Sequence, residues 1–176
     1  MLLGKEKLQK LKTSRVLIVG LGGVGSYAAE MICRAGAGSI TIVDGDRIHT
    51  SNRNRQLLAL KSTEGKSKAE LMAERLSDIN PGLELFAFNE YLKDDRMIEI
   101  LDRGYDYVVD AIDTLSPKVF LIYHSLQKKY PVVRLDFSEI DHKTIGELKI
   151  SLKSVLKDVA STNKIDITAE TQETDI

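Results

Sequence analysis

Short apolar runs alternate with segments of helical spacing along the first 133 residues of the chain. The runs Arg15–Val19 and Ser39–Val43 are rich in β-branched residues, as is typical of strands buried on both faces of a parallel sheet. Segments with apolar residues three or four positions apart follow these runs and indicate helices. The pattern predicts strands at 15–19, 39–43, 83–88, 107–109 and 131–133, and helices at 2–12, 24–35, 66–79, 95–101 and 117–129.

This alternation predicts an α/β fold of Rossmann-like type, with a mostly parallel sheet and helices on both faces, because strand–helix–strand units form right-handed crossovers. Segment 44–58 interrupts the rhythm: it is polar, lacks periodicity and contains many Asp, Asn and Arg residues. Long ordered loops in compact domains are usually functional. We therefore expect this loop to contribute to a site.

The composition excludes several classes of protein and kinds of site. With 43% hydrophobic and 29% charged residues, the chain is neither wholly disordered nor collagen-like, and a net charge of −1 removes the simplest evidence for nucleic-acid binding, a strong basic excess. Cys33 is the single cysteine, which excludes an internal disulfide and a paired-cysteine zinc site; its apolar neighbours predict a core thiol. No stretch reaches the roughly 18 apolar residues of a membrane helix, so we expect a cytoplasmic protein with no membrane partner.

Four glycines lie within residues 20–25, directly after a predicted strand and at the start of a predicted helix. In this context Gly20, Gly22, Gly23 and Gly25 fit a G-x-G-x-x-G turn, in which the backbone approaches phosphate oxygens at a helix N-terminus. A tight packing turn without a ligand is the alternative. The motif alone indicates a nucleotide and does not specify which one.

Polar residues after the second strand separate two nucleotide classes. Asp44 ends that strand, where a carboxylate can accept hydrogen bonds from a ribose, as in a dinucleotide oxidoreductase. The amides and guanidinium groups of segment 52–56, with Lys68 and nearby Lys66, favour ATP instead, because attack on its α-phosphorus pushes negative charge onto the departing pyrophosphate. The alternative for this segment is a solvated polar surface.

A second acidic segment, 110–113, follows the fourth strand. The carboxyl ends of parallel strands form the ligand crevice of such sheets, so Asp113 is expected to face the glycine turn. A carboxylate beside phosphate oxygens is a typical Mg²⁺ ligand. The alternative is that Asp113 or Ser116 only caps the helix that Pro117 begins.

Together these motifs resemble the ATP-dependent adenylating enzymes related to ubiquitin-activating enzymes, which include the sulfur-carrier activators of thiamine and molybdopterin synthesis. Within that superfamily the chain is most similar to the tRNA threonylcarbamoyladenosine dehydratases. The resemblance covers about residues 2–133. Each motif alone is a weak signal, and only the combination of motifs is specific for this superfamily. The resemblance to the superfamily rests on residues 20–25, Asp44, 52–56, 65–70 and 110–113. The greater similarity to the dehydratases rests on the sequence at 68–75, 79–81, 110–113 and 117–118.

The resemblance implies a role for each motif residue. The glycine turn would bind ATP phosphates, Asp44 the ribose, and segment 52–56 the nucleotide. Dehydratases of this kind activate the carboxylate of a threonylcarbamoyl group on a tRNA adenosine with AMP, and the activated carboxyl then cyclises. The implied cofactors are ATP and Mg²⁺, and the implied partners are tRNA and a second copy in a homodimer. The implied cofactor ligands are Gly20, Gly22, Gly23, Gly25, Asp44, Asn52, Asn54, Arg55 and Lys68, and the implied catalytic residues are Arg55, Lys68 and Asp113, the last as metal ligand.

Three other functions stay open. Sulfur-carrier activators adenylate the C-terminal glycine of a small carrier protein, which would make a sulfur-carrier or sulfur-transfer protein the partner. Several of them contain two paired-cysteine zinc motifs, so a single cysteine favours the dehydratases. A nicotinamide-dependent oxidoreductase and an inactive nucleotide-binding fragment are the remaining alternatives.

The periodicity and the resemblance both end near residue 134. We expect residues 1–133 to form an ATP-binding adenylation domain and residues 134–176 to be a divergent tail, partly disordered. The family continues with further strands and a second half, so the C-terminal part is incomplete relative to the family. Two explanations compete: the chain is a divergent short member of the family, or the gene is truncated or shifted in reading frame near codon 134. Because the periodicity and the resemblance end at the same residue, the truncation or frameshift is slightly favoured.

Overall fold

The computed structural model describes residues 4–134. Five strands lie at Arg15–Val19 (β1), Ser39–Val43 (β2), Glu84–Phe88 (β3), Tyr107–Asp110 (β4) and Val132–Arg134 (β5). Five helices lie at Lys5–Thr13 (α1), Gly25–Ala35 (α2), Lys68–Ile79 (α3), Asp94–Leu101 (α4) and Leu115–Gln127 (α5). The predicted order of strands and helices is confirmed, with boundaries that differ by a few residues.

The five strands form one parallel sheet in the order β3-β2-β1-β4-β5. The chain runs outward from β1 in one direction through β2 and β3, and in the other through β4 and β5. This reversal beside β1 is the position at which open α/β sheets bind ligands, outside the carboxyl ends of their strands. The predicted Rossmann-like class is confirmed.

Alternate residues of β1 lie in two separate cores, one on each face of the sheet. Val16 and Ile18 pack on the face covered by α2 and α3, whereas Leu17 and Val19 pack on the face covered by α4 and α5. All four side chains are buried because successive strand residues point to opposite faces and both faces are covered. Helices on both faces are thereby confirmed.

Cys33 belongs to the first of these cores. It is buried, its Sγ lies 3.6 Å from the backbone oxygen of Leu76, and burial raises the pKa of its thiol. The prediction of a core thiol is confirmed. A raised pKa keeps this cysteine protonated and therefore a poor nucleophile at neutral pH.

Two departures from the sequence pattern lie between β2 and the first turn of α3. Two short 3-10 helices, Thr50–Asn54 and Lys61–Thr63, occupy the region predicted as an irregular loop and its extension. Helix α3 begins at Lys68 rather than at Lys66, because the Ser67 side chain caps it by accepting a hydrogen bond from the Glu70 N–H at 3.3 Å. The predicted tail, 134–176, lies outside the described residues except for Arg134, which ends β5. Between residues 4 and 134, no helix is long and apolar enough to cross a membrane.

Candidate nucleotide site

Three strands end at the same level of the sheet and direct their following loops to one place. Val19 of β1 is in register with Val43 of β2 and with Asp110 of β4. Beyond the strands, the N–H of Gly20 donates to Val43 O at 2.9 Å, and the N–H of Ala111 donates to Val19 O at 2.9 Å. The glycine turn, Asp44 and segment 110–113 therefore meet at one edge, as predicted from the sequence.

Backbone packing at this edge requires two of the glycines. Gly20 has a φ of +94°, a conformation that side chains disfavour. At Gly25 a Cβ atom would overlap the carbonyl oxygen of Gly20 and would lie 2.9 Å from the Cβ of Ala111. These two glycines close the turn on itself and against the loop after β4. The turn is thereby held in place to start α2 at Gly25.

Segment 52–56 lies over the outer side of this turn. A Cβ built at Gly23 would be 3.2 Å from Cγ of Arg55, and one built at Gly22 would be 3.9 Å from Nε2 of Gln56. Gln56 is 9% exposed, and its Oε1 is one of the buried polar atoms in the described residues that lack a hydrogen-bond partner. The segment is thus exposed at residues 53–55, as a solvated polar surface would be, and is packed against the glycine turn through Gln56 and Cγ of Arg55.

Within the segment, the two asparagines hold the turn and the arginine. Asn52 is buried, and its Oδ1 accepts a hydrogen bond from the backbone N–H of His49 at 3.0 Å. Asn54 accepts one from Nη1 of Arg55 at 2.8 Å, and the same Nη1 is 3.2 Å from Ser51 O. The Arg55 side chain stays exposed. Its guanidinium is thus oriented by neutral acceptors beside Gly23 and keeps its positive charge uncompensated by a carboxylate at these contacts.

Asp44 lies at the centre of the edge with both carboxylate oxygens in use. Its Oδ2 accepts a hydrogen bond from the N–H of Leu21 at 2.6 Å, and its Oδ1 accepts one from the N–H of Asp46 at 2.7 Å. Burial raises the pKa of Asp44, against the opposing effects of the Lys68 charge and of the two N–H donors. The carboxylate links the glycine turn to the long loop, and each oxygen retains a further lone pair for a ligand hydroxyl.

Lys68 is near this carboxylate, but it is ion-paired with a residue that the sequence reasoning missed. Its Nζ lies 2.7 Å from Oδ2 of Asp46, and the side chain is 5% exposed. The hydroxyl of Tyr91 donates to Oδ1 of the same Asp46. Asp46 follows Asp44 by two residues, which was the only signal for it in the sequence; nothing marked Tyr91.

Segment 110–113 divides its two carboxylates between different environments. Asp110 is fully buried, accepts a hydrogen bond from the N–H of Ile112 at 3.1 Å, and pairs with Nζ of buried Lys118 at 2.7 Å. Asp113 is exposed, and its Oδ1 lies 3.4 Å from the hydroxyl of Thr114. The buried pair fixes the start of the loop, whereas Asp113 lies at the surface.

The capping alternative for this segment is wrong. Helix α5 begins at Leu115, two residues before Pro117, with Thr114 at the N-cap position and no side-chain capping bond. Asp113 therefore lies before the cap and Ser116 lies within the first turn. Between residues 4 and 134, no three His, Cys, Asp or Glu side chains form a group suited to a metal ion. A cation here would need phosphate oxygens as additional ligands.

Comparisons with known proteins identify the family and the fold. The model of the ThiF family matches residues 1–141. The chain is 44% identical over 131 residues to a tRNA threonylcarbamoyladenosine dehydratase of Bacillus subtilis, covering 74% of this chain and 52% of the relative. It is 35% identical to a molybdopterin-synthase adenylyltransferase of Salmonella typhimurium over 73% of this chain and 51% of that protein.

A solved structure shares the fold as well as the sequence. It is the Escherichia coli tRNA N6-threonylcarbamoyladenosine dehydratase in complex with ATP, with a TM-score of 0.73 and 41% identity over 76% of this chain and 55% of that one. The resemblance inferred from the motifs is confirmed, and the chain spans about half the length of the relatives it matches. Because the family model covers most of its length, the chain belongs to the ThiF family.

Proposed function

We propose that this chain binds ATP at the sheet edge and transfers AMP to a carboxylate. The single observation that supports this most strongly is the packing of segment 52–56 on the glycine turn, which brings Arg55 beside Gly23. A site for one pyrophosphate has little use for an exposed guanidinium and a buried ammonium at the same edge. A triphosphate whose pyrophosphate departs needs both.

The residues present fit the nucleotide. The turn containing Gly20, Gly22, Gly23 and Gly25 lies at the N-terminus of α2, where unpaired N–H groups favour phosphate. The free lone pairs of Asp44 suit a ribose, and Asn52 and Asn54 shape the loop over the turn. Arg55 and Lys68 would stabilise charge on the departing pyrophosphate. When bound, ATP supplies the electrophilic α-phosphorus and the leaving group.

The exposed carboxylate of Asp113 fits a phosphate-bound Mg²⁺. Its environment differs from that of Asp110, whose buried ion pair with Lys118 leaves it unsuited to a metal. Mg²⁺ is commonly bound through one or two carboxylates together with substrate phosphates and water. Asp113 would therefore be the metal ligand that this chain provides.

For the acceptor, we propose the carboxylate of a threonylcarbamoyl group on a tRNA adenosine. The support is the similarity to dehydratases named for that substrate, at 44% identity. With this acceptor we also propose a cytoplasmic location, where tRNA would be modified, and a homodimer. Residues 1–133 would form the adenylation domain. A sulfur-carrier C-terminus is the second candidate acceptor, supported by 35% identity to a molybdopterin-synthase adenylyltransferase.

ATP–pyrophosphate exchange tests the function directly. The full chain is incubated with ATP, labelled pyrophosphate and Mg²⁺ in three arms: tRNA carrying threonylcarbamoyladenosine, a peptide ending in the Gly-Gly of a sulfur carrier, and no acceptor. We expect label to enter ATP only with the modified tRNA, since exchange requires reversible formation of an acyl-adenylate. The same tRNA without the threonylcarbamoyl group is the matched control.

Each other outcome has a defined meaning. Exchange with the peptide alone would replace tRNA by a carrier protein. Binding of ATP without exchange in any arm would indicate a nucleotide-binding module and contradict the catalytic proposal. Binding of NADH in preference to ATP would contradict the nucleotide assignment itself.

A further inference from the structure

We propose that Asp46 is a positioning residue that fixes the Lys68 ammonium at the nucleotide crevice and couples it to Asp44. This inference deepens the proposed function and rests on it. Asp46 itself would not contact the phosphates. It would act by holding the cation that does.

The first support is the burial of the lysine. Only 5% of the Lys68 side chain is exposed, whereas 46% of the Asp46 side chain is exposed. An ammonium removed from water needs a compensating charge, and the carboxylate at 2.7 Å provides it. A lysine held in this way has lost most of its rotamer freedom, so its position is set before any ligand arrives.

Backbone hydrogen bonds also hold the segments of Asp46 and Lys68 together. The N–H of Lys68 donates to the carbonyl of Asp46 at 3.0 Å, and the N–H of Ile48 donates to Lys66 O at 2.9 Å. Between these bonds, Arg47 and Ser67 form an antiparallel bridge. The loop after β2 is therefore clamped to the start of α3, and the distance between the two side chains does not depend on the ion pair alone.

A chain of hydrogen bonds continues from this pair to the ribose side of the site. The N–H of Asp46 donates to Oδ1 of Asp44 at 2.7 Å, and Asp44 in turn accepts from the glycine turn through Leu21. On the other side, the Tyr91 ring lies against Gly45 and its hydroxyl donates to Asp46. One loop thus links the ribose carboxylate, the phosphate cation and the rim of the crevice.

The charge of Asp46 decides what its removal should do. Burial raises the pKa of Asp46, but the hydrogen bonds from Lys68 and Tyr91 outweigh that effect and lower it, so the group is ionised at neutral pH. An anion beside a triphosphate weakens binding by repulsion while it orients Lys68. Loss of the charge should therefore leave ATP binding unchanged or tighter and slow the transfer of AMP. This split between binding and rate is the signature of positioning.

The test compares full-chain variants in the exchange assay with modified tRNA, at varied ATP and Mg²⁺. For Asp46→Asn we expect kcat to fall at least about tenfold with KM for ATP unchanged or lower, because misplacing a positioned charge costs transition-state stabilisation. Asp46→Glu keeps the charge and should recover part of the lost rate. Asp78→Asn makes the same change at an exposed carboxylate of α3 and is the matched control, with an effect below about threefold.

A double-mutant cycle tests the route through Lys68. In a Lys68→Ala background, Asp46→Asn should cause no further loss of rate, because the group that it positions is absent. Equal losses in both backgrounds, or a parallel loss of ATP binding and kcat, would overturn the proposal. So would a rise in the Mg²⁺ concentration needed for half-maximal rate, which would make Asp46 a metal ligand.

Folding and function failures remain distinguishable. The melting temperature of Asp46→Asn should fall, because the buried Lys68 ammonium loses the carboxylate that compensates it, but the backbone clamp persists and the variant should remain folded at the assay temperature. Loss of folded protein in both Asp46→Asn and Asp46→Glu would assign a purely structural role and refute the inference. If the wild-type chain shows no ATP–pyrophosphate exchange, the proposed function is refuted. If the Asp46→Asn variant shows wild-type kinetics, only the positioning role is refuted.

Discussion

At the scale of single residues, two arginines at the end of one short 3-10 helix, Arg53 within it and Arg55 directly after it, have different partners. Arg53 pairs with Glu64, whereas Arg55 turns to the carbonyl of Ser51 and the amide of Asn54 beside Gly23. A carboxylate partner compensates the first guanidinium, while neutral acceptors leave the charge of the second available. Arg53 therefore forms a surface ion pair, whereas Arg55 is a candidate phosphate ligand.

We predict that Arg55→Ala slows AMP transfer more than it weakens ATP binding. A group acting on charge that develops in the transition state affects kcat, and loss of one such donor commonly costs about a hundredfold or more. Single-turnover transfer and equilibrium ATP binding measure the two effects separately. Arg53→Ala is the matched control and should change neither by more than about twofold, because exposed ion pairs contribute little. Equal losses in rate and binding for Arg55→Ala would contradict its role.

At the scale of elements, a buried carboxylate joins the two helices that cover one face of the sheet. Glu30 of α2 is 6% exposed; its Oε2 accepts a hydrogen bond from Nε of Arg75 on α3 at 2.6 Å, and its Oε1 pairs with Arg34 at 2.7 Å. The hydrogen bond from Arg75 is the main cause that lowers the pKa of Glu30, against burial, which raises it. Helix packing here therefore includes a titratable link.

This link predicts an acid-dependent contribution to stability. Because the folded-state pKa of Glu30 lies below its ordinary value of 4.5, the contribution is complete above about pH 4.5 and is lost as the pH falls through the lowered value. At pH 7, Glu30→Gln should lower the free energy of unfolding by about 1 kcal/mol, since both guanidinium groups are substantially exposed. The melting temperatures of the two proteins should converge as the pH falls below 4.5 through the lowered pKa of Glu30.

Thermal unfolding of both proteins from pH 7 to pH 3 measures this difference. Glu74→Gln changes an exposed glutamate of α3 and should follow the wild type at every pH. A difference between wild type and Glu30→Gln that stays constant down to pH 3 would show that lost packing, not lost charge, accounts for it.

At the scale of the whole molecule, the site is distributed over most of the described chain. Its residues come from the ends of β1, β2 and β4, from the loop between β2 and α3, and from Tyr91 after β3. Bonds such as Gly20 to Val43 and Ala111 to Val19 tie these ends together. A ligand at this candidate site would contact several elements at once, so its binding free energy should stabilise the fold as a unit.

We predict that ATP raises the melting temperature more in the presence of Mg²⁺ than in its absence. A ligand at 100 times its Kd adds about 2.7 kcal/mol to the free energy of unfolding. Asp113→Ala should abolish the Mg²⁺-dependent part of the shift and keep the part due to ATP alone. Asp78→Ala, an exposed carboxylate of α3, is the control and should retain both parts. A full Mg²⁺ effect in Asp113→Ala would remove this residue from the metal site.

Sequence alone determined the elements and the chemistry of the strand ends. Strand and helix periodicity is a local property, and β1 to β5 follow the predicted runs closely. The glycine turn, Asp44 and the segment after β4 could be assigned to one edge because strands of a parallel sheet end at the same edge. Glycine is needed at such a turn for a positive φ or a close backbone approach, so the motif could be recognised from the sequence.

Tertiary structure decided which charges compensate each other. The partners of Lys68 and Lys118 are Asp46 and Asp110, and neither pairing has a sequence signal that separates it from other charges nearby. Tyr91 reaches Asp46 across 45 positions of the chain. Ion pairs and hydrogen bonds depend on distances of about 3 Å between groups on different elements. Periodicity specifies which face of an element is buried, but those distances exist only once the elements have packed.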